Sequence, residues 1–177
     1  MERTNTRELV HQALAERLVP SAPDADVDAL LDYMEDVRIA AGEAILTAGE
    51  ENASLWYLAL GRLEVEVPAK AGPLVVAEIL PHHWVGEVGL LDGGAASATV
   101  RVCEPSRIFR IDRMALESLR ERAPGAAMAL VHTLSLDLVD RIRGSNELLR
   151  RELGREEPGD WHALALRWVL AGGGQGP

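Results

Sequence analysis

Cysteine is nearly absent from this chain. Cys103 stands alone among 177 residues, which excludes an internal disulfide framework and any thiolate-rich metal site and fits a reducing cytosol. Its expected role is packing. Aromatic residues make up only 4%, so the core must come from Leu, Val, Ile and Ala. No apolar run approaches the roughly 18 residues that read as a membrane-spanning helix. The opening Met1-Glu2-Arg3-Thr4-Asn5-Thr6 lacks the apolar stretch of a secretory signal. Basic charge is short as well. Eighteen Lys and Arg against 28 Asp and Glu leave a net charge of -10, which argues against contacts with a nucleic-acid backbone. The nucleophile-elbow, Walker-type, dinucleotide-binding and HExxH patterns are also missing, so nothing points to an enzyme.

What is present is an ordinary globular composition, 47% apolar and 26% charged, long enough for one domain and tight for two. Asp24, Asp26, Asp28, Asp32, Glu35 and Asp36 form an acidic cluster, and Arg141, Arg143, Arg150 and Arg151 a basic one; both read as solvated helix faces. Asn5 with Glu8 resembles a capping box for a first helix with Leu9, Val10, Ala13, Leu14 and Leu18 on one stripe. Pro20-Ser21-Ala22-Pro23 ends it. A second helix fits Asp26 to Asp36, with Val27, Leu30, Leu31 and Met34 inward.

The period then changes. Gly42-Glu43 and Gly49-Glu50 bracket the short run Ala44-Ile45-Leu46. Leu55 to Leu60 is apolar throughout and closes at Gly61. Leu63, Val65 and Val67 next alternate with Arg62, Glu64 and Glu66, the mark of a half-buried strand. Lys70-Ala71-Gly72-Pro73 reads as a turn, and Leu74 to Leu80 as the returning strand. Ala98 to Val102 and Arg107 to Ile111 supply two more. Short strands with glycine at the turns predict a rolled antiparallel barrel. Asp112 caps a short helix through Leu119. Pro124-Gly125 opens a long helix with the stripe Ala127, Val131, Leu134, Leu138, Ile142, Ser145 and Leu149. Gly144 interrupts that stripe at about 1 kcal/mol relative to Ala. Either the helix breaks there and Ser145 recaps it, or another backbone approaches closely. After Pro158-Gly159, Asp160 can cap a last helix bearing Trp161, Leu164 and Trp168, and a glycine-rich tail follows from Gly172. The expected organisation is therefore a helical segment over 1–36, a β-barrel over 37–119, a long helix over 120–153, and a short helix with tail over 154–177.

The segment Trp84 to Val100 carries the chemistry. It reads as strand end, Gly86, Glu87, one helical turn, the pair Gly93-Gly94, then a new strand. A short helix starting at a glycine points its backbone N–H groups at an anion. Glu87 beside it can accept two hydrogen bonds from a sugar diol, and Ser97 can donate to a phosphate oxygen. His82, His83 and Glu87 do not make a metal site, since adjacent strand residues face opposite ways and His132 belongs to the long helix.

From about Val27 to Leu153 the chain resembles the cyclic-nucleotide-binding domain family of bacterial catabolite-type regulators, protein kinase A regulatory subunits and gated ion channels. The early signature matches as Gly42-Glu43, Gly49, Leu55-Trp56-Tyr57-Leu58 and Gly61-Arg62-Leu63-Glu64-Val65. The phosphate cassette matches as Gly86-Glu87-Val88-Gly89-Leu90-Leu91 and Ser97-Ala98-Thr99-Val100. The resemblance implies a mainly β fold with flanking helices (α+β): an antiparallel double-stranded β-helix, jelly-roll-like, with N-terminal helices and a long C-terminal helix. It implies a regulatory, cytoplasmic, non-catalytic module with cAMP or cGMP as ligand. Glu87 would take the ribose hydroxyl, and Gly86, Val88, Ala96 and Ser97 would wrap the phosphate. The run Arg141-Ile142-Arg143-Gly144-Ser145-Asn146 resembles the family's base-contacting run, which gives Ser145 and Asn146 a base-contact role; the alternative is that they recap a broken helix. The C-terminal helix would pair two copies through Leu134, Leu138, Ile142 and Leu149, or hold a protein partner.

Two departures matter. The family's cassette carries a phosphate-neutralising arginine before the Ser/Ala-Ala-Thr strand, and Ala95-Ala96 stand here instead. Losing that charged contact, roughly 1.5–3 kcal/mol, weakens binding about 10- to 100-fold. Arg101 can replace it only if the strand starts irregularly, because its parity with Ser97 and Thr99 is opposite to that of position 96. His82 occupies the place of a turn glycine. The alternative function is thus a degenerate barrel that has lost its ligand and serves as a dimerisation or interaction scaffold. About two dozen residues follow Leu153, too few for the winged helix-turn-helix of the family's transcription factors, so DNA binding is not expected.

Overall fold

Two long strands carry the fold, and their shared kink explains most of it. The computed structural model describes residues 2–18, 22–70 and 72–153. It divides into two compact units, Met1–Ser135 and Leu136–Pro177. The elements in order are α1 (Glu2–Arg17), α2 (Asp24–Asp32), β1 (Glu35–Ile39), β2 (Ala44–Leu46), β3 (Ser54–Val67), β4 (Leu74–Ile79), β5 (His83–Val85), α3 (Glu87–Asp92), β6 (Thr99–Asp112), α4 (Arg113–Arg122) and α5 (Pro124–Leu153).

All strand pairs are antiparallel. β3 and β6 pair with each other along their whole length, and each also serves two short strands. Near the start of β3 the order is β1-β6-β3-β5; past the kink it is β2-β6-β3-β4. The ladder slips between Leu58 and Leu63. There Gly61 adopts φ 104, and a Cβ at that position would stand 2.7 Å from Ser106 Cβ and 2.9 Å from Ser106 Cα. Only glycine accepts both the angle and the approach. The kink folds the sheet over a core of Ile39, Leu58, Leu63, Val85, Val100, Val102 and Ile108, drawn from both halves. This is the expected antiparallel, jelly-roll-like roll.

A second core lies on the outer face of the β1-β6-β3-β5 half. Leu55, Tyr57 and Ala59 of β3 face Val10 and Leu14 of α1, Leu30 and Leu31 of α2, and Leu130 and Leu134 of α5. The run Leu55 to Ala59 lacks alternation because this part of β3 is covered on both faces, whereas Leu60 at the kink is exposed. Tyr57 packs at a tilt against its cross-strand partner Trp84, with ring centroids 4.7 Å apart and planes at 56°. α1 is tied down by Arg107, which is 7% exposed. Its guanidinium grips Asp36 with Nε–Oδ1 2.8 Å and Nη2–Oδ2 2.5 Å and also donates to Thr6 Oγ1.

Several expected boundaries move. α1 begins at Glu2, so Asn5 lies inside it and is no cap. α2 ends at Asp32, and Glu35 onward is strand; Met34 remains buried although it is outside the helix. The strands expected at Leu55–Leu60 and Leu63–Val67 are one strand, as are those at Ala98–Val102 and Arg107–Ile111. Asp112 does cap α4, accepting from Ala115 N at 2.9 Å, but α4 runs on to Arg122. Gly144 neither breaks α5 nor admits a neighbour: the helix continues to Leu153 and nothing lies within 4 Å of a Cβ built there. Residue 71 of the expected turn, residues 19–21 of the proline break, the last helix around Trp161 and Trp168, and the glycine tail lie outside the described residues.

Candidate functional site

The stretch from Gly86 to Ser97 forms a tight loop that buries Glu87, Leu90 and Ala96. Gly86 caps α3 in the left-handed region, φ 92 and ψ 6. A Cβ there would meet Ser54 O at 2.6 Å and Asn52 Nδ2 at 2.9 Å, so this position also requires glycine. Its carbonyl accepts from Leu90 N at 3.2 Å, and Gly89 O accepts from Gly93 N at 3.0 Å. Gly94 N donates to Asp92 Oδ1 at 2.7 Å, an Asx turn that closes the cassette.

Glu87, the first residue of α3, is 4% exposed. A carboxylate at the first turn suits the positive end of the helix. A ligand hydroxyl that used it would have to reach a group almost fully enclosed. Val88 and Leu91 on the same turn are exposed, at 39% and 44%. Ala96 is buried, and both of its backbone groups are taken: Ala96 N donates to Glu50 O at 2.8 Å, and Ala96 O accepts from Gly49 N at 2.9 Å. Ser97 is exposed beside it. Gly86, Glu87 and Val88 thus lie at the start of α3, and Ala96 and Ser97 on the return of the chain just before β6. Ser145 and Asn146 belong to the second unit, exposed and inside unbroken helix, so the recapping alternative does not hold.

Arg101 does not stand in for the missing arginine. Its Nε is 3.1 Å from Glu66 Oε1, its Nη2 3.4 Å from Oε2, and its Nη1 donates to Gly42 O at 2.9 Å. That spends the charge beside a cavity of about 260 Å³ near the β3–β4 turn, lined by Glu66, Pro68, Pro73, Thr99 and Arg101 among others. On the β3 side β6 is in regular register from Thr99 to Val102, with Arg101 opposite Glu64, whereas the β2 side shifts register between Ala44 and Leu46 and Ser97 and Ala98 are bends before the strand.

His82 has φ 70, and among the described residues it is the one non-glycine in the left-handed region. The turn glycine's conformation is therefore kept with a side chain present. His82 N donates to Leu58 O at 2.7 Å, its Nδ1 lies 3.1 Å from Tyr57 Oη, and its carbonyl accepts from Arg17. Burial pushes the Tyr57 hydroxyl well above its ordinary value, so it stays protonated, and the His82 tautomer sets which of the two groups donates. The Cys103 thiol is also held up, by burial and by Glu64. Among the described residues no group of three His, Cys, Asp or Glu could hold a metal ion, and no helix is long and apolar enough to cross a membrane.

Two residues escaped the sequence reading. Asn52 sits inside the cassette, and Arg113 Nη2 donates to Gly89 O at 3.2 Å from its outer side. Asn52 reads as a loop residue after two acids, Glu50 and Glu51, and its partner lies 34 positions away; no local pattern announces it.

Comparison with known proteins agrees with this geometry. The family model described as "Cyclic nucleotide-binding domain" matches residues 36–123. Among solved structures, a cyclic nucleotide-binding domain from Methylobacillus flagellatus is similar with a TM-score of 0.76 at 21% identity, covering 88% of this chain and 87% of that one. The Thermus thermophilus catabolite activator protein is similar with a TM-score of 0.65 at 25% identity, covering 75% and 61%. A putative potassium channel protein of Rhodopseudomonas palustris is 26% identical over 103 residues, 58% of this chain and 24% of that protein. The chain thus spans about a quarter of that relative's length.

Proposed function

Residues 36–123 belong to the cyclic nucleotide-binding domain family, and from that premise we propose that the chain is a regulatory ligand-sensing module, cytoplasmic and non-catalytic, that binds cAMP or cGMP weakly and signals through α5. The observation that carries this reading is the intact cassette backbone. Gly86 turns left-handed, Glu87 opens α3 as a buried acid, and the chain returns through Ala96 and Ser97 into β6. The sugar-binding acid and the helix N-terminus supply a diol acceptor and backbone donors. Charge neutralisation is what is lacking, so affinity falls in the micromolar range or weaker. Ser145 and Asn146 would contact the base if α5 closes over the ligand, which a ligand can drive only by binding one helix position more tightly than another.

The alternative is a scaffold that keeps the roll and has lost its ligand. It is favoured by one observation, the buried Ala96 where an arginine would stand while Arg101 is spent on Glu66. In either case a homodimer or a protein partner would use the apolar residues that α5 leaves uncovered. Leu134 is not among them, since it is 1% exposed in the first unit's core; Leu138 is half-buried. Leu136, Val139, Ile142 and Leu149 are exposed, at 48%, 40%, 60% and 55%; Ile142 and Leu149 lie on one face of the helix, and Leu136 lies round its side. With a net charge of -10, nucleic acid is no partner in this reading.

Calorimetric titration with cAMP and cGMP, with a thermal shift at millimolar nucleotide alongside, decides between the two. Heat and a raised melting temperature support sensing; neither signal from a folded protein leaves the scaffold. Sedimentation of the chain at micromolar concentration tests the homodimer, and a monomer there counts against it.

A further inference from the structure

We infer that Asn52 is the positioning residue of the cassette, the peg around which residues 86–94 are bent, so that the placement of Glu87 depends on it. The inference rests on the sensing reading for its ligand and on the geometry alone for its mechanism. Asn52 is 7% exposed. Its Nδ2 donates to Gly86 O at 2.7 Å, and its Oδ1 accepts from Ser54 N at 3.0 Å. A flipped amide would set oxygen against the Gly86 carbonyl and nitrogen against the Ser54 N–H, so the network assigns one orientation. Its Cβ stands 2.9 Å from where a Gly89 Cβ would be, and its own N–H reaches toward Gly94 O at 3.5 Å. Asn52 therefore meets the cassette at its entry, its middle and its exit.

The surroundings make this more than packing. Gly86 O already accepts from Leu90 N, the bond that closes the turn of α3 carrying Glu87. The Asn52 amide is a second donor to that same carbonyl and pins the left-handed Gly86 at the point where the backbone is least constrained by sterics. Ser54, which orients the Asn52 amide, is itself the start of β3 and pairs with Asp112. Arg113 N donates to Ala53 O at 2.9 Å. The peg is thus anchored in the sheet, and the loop it shapes is also held by Arg113 at Gly89 O.

The test uses the full chain and reads amide exchange by NMR. In Asn52→Ala, the Leu90 and Gly93 amides should exchange about tenfold faster, the ratio a single buried hydrogen bond commands. The Val102 amide, bonded to Glu43 O in the other half of the roll, should keep its rate. Ser106→Ala, which removes the Ser106 Oγ bond to Glu104 O, is the control and should leave Leu90 and Gly93 unchanged. Asn52→Asp keeps the shape and loses the donor while ionised. Its cassette protection should therefore rise as pH falls through the introduced carboxyl's pKa, a signature that packing alone does not produce. Cyclic-nucleotide titration in an Ala96→Arg background should weaken about tenfold on adding Asn52→Ala and stay within about twofold on adding Ser106→Ala. Unchanged Leu90 and Gly93 exchange overturns the inference, as does nucleotide affinity that ignores Asn52. Faster exchange in a protein that binds no nucleotide in any background upholds the positioning role and sinks the sensing reading instead.

Discussion

Ala96→Arg is the substitution that most directly questions the cassette. The site is prepared for it in one respect: Ala96 N and Ala96 O are held by Glu50 and Gly49, so the backbone that must aim the side chain is already fixed. It is hostile in another. The paired loop carries Glu50 and Glu51, both exposed, and Glu51 bridges Ala95. A new guanidinium could fall onto these acids. The magnitudes decide. An exposed ion pair contributes about 0–1 kcal/mol, whereas a charged hydrogen bond to phosphate contributes roughly 1.5–3 kcal/mol. The phosphate wins by about 0.5–3 kcal/mol, which is about 2- to 150-fold in affinity. Ala96→Lys should gain less, since an ammonium cannot bind two phosphate oxygens in a fork. Ala96→Met matches the bulk without the charge and should gain nothing. Titration calorimetry with cAMP and cGMP at one fixed salt concentration reads all three. If the arginine variant melts like the parent and binds no tighter, the cassette backbone is not a phosphate site, and the sensing reading falls with it.

Gly61→Ala should cost about 3 kcal/mol or more in urea unfolding, because left-handed strain adds to contact with Ser106; Ser106→Gly as a second change should recover only part, since Ser106 Cα still lies 2.9 Å from the new Cβ. The buried Tyr57 hydroxyl gives an alkaline limb. Its folded pKa is raised, so the folded state holds its proton longer than the unfolded chain, and stability present below pH about 10 is lost as pH rises beyond it, at about 1.4 kcal/mol per unit. Tyr57→Phe should flatten that limb in a series of unfolding curves. His82→Gly sets two terms against each other. Relief of the left-handed backbone returns about 1 kcal/mol, but the Tyr57 O–H is left buried without its Nδ1 partner, which costs about 1–3 kcal/mol. A net loss of about 1 kcal/mol is expected, and a clear gain in melting temperature would show that the Tyr57–His82 bond contributes nothing.

What could be read from the sequence was whatever the backbone demands locally. Gly86, Gly93 and the acid between them announce the cassette because a left-handed cap and a short helix need those residues at those places. The same holds for Asp112 before α4 and Pro124 at the first position of α5. What was misread depends on pairing across the chain. Glu35-Asp36 looks like a helix end until β6 is set beside it, with Glu35 opposite Arg110 and Asp36 opposite Phe109. Cys103-Glu104-Pro105-Ser106 looks like a turn, since proline cannot donate to a ladder. Yet Glu104 pairs with Arg62 and Arg107 with Leu60, so the ladder skips Pro105 and Ser106 on that side. The skip falls where Gly61 presses on Ser106, and the missing N–H costs nothing at a kink that has no partner for it. Two residues that looked like faults therefore form one joint: a proline inside a strand and a glycine inside its neighbour let a single sheet fold over its own core.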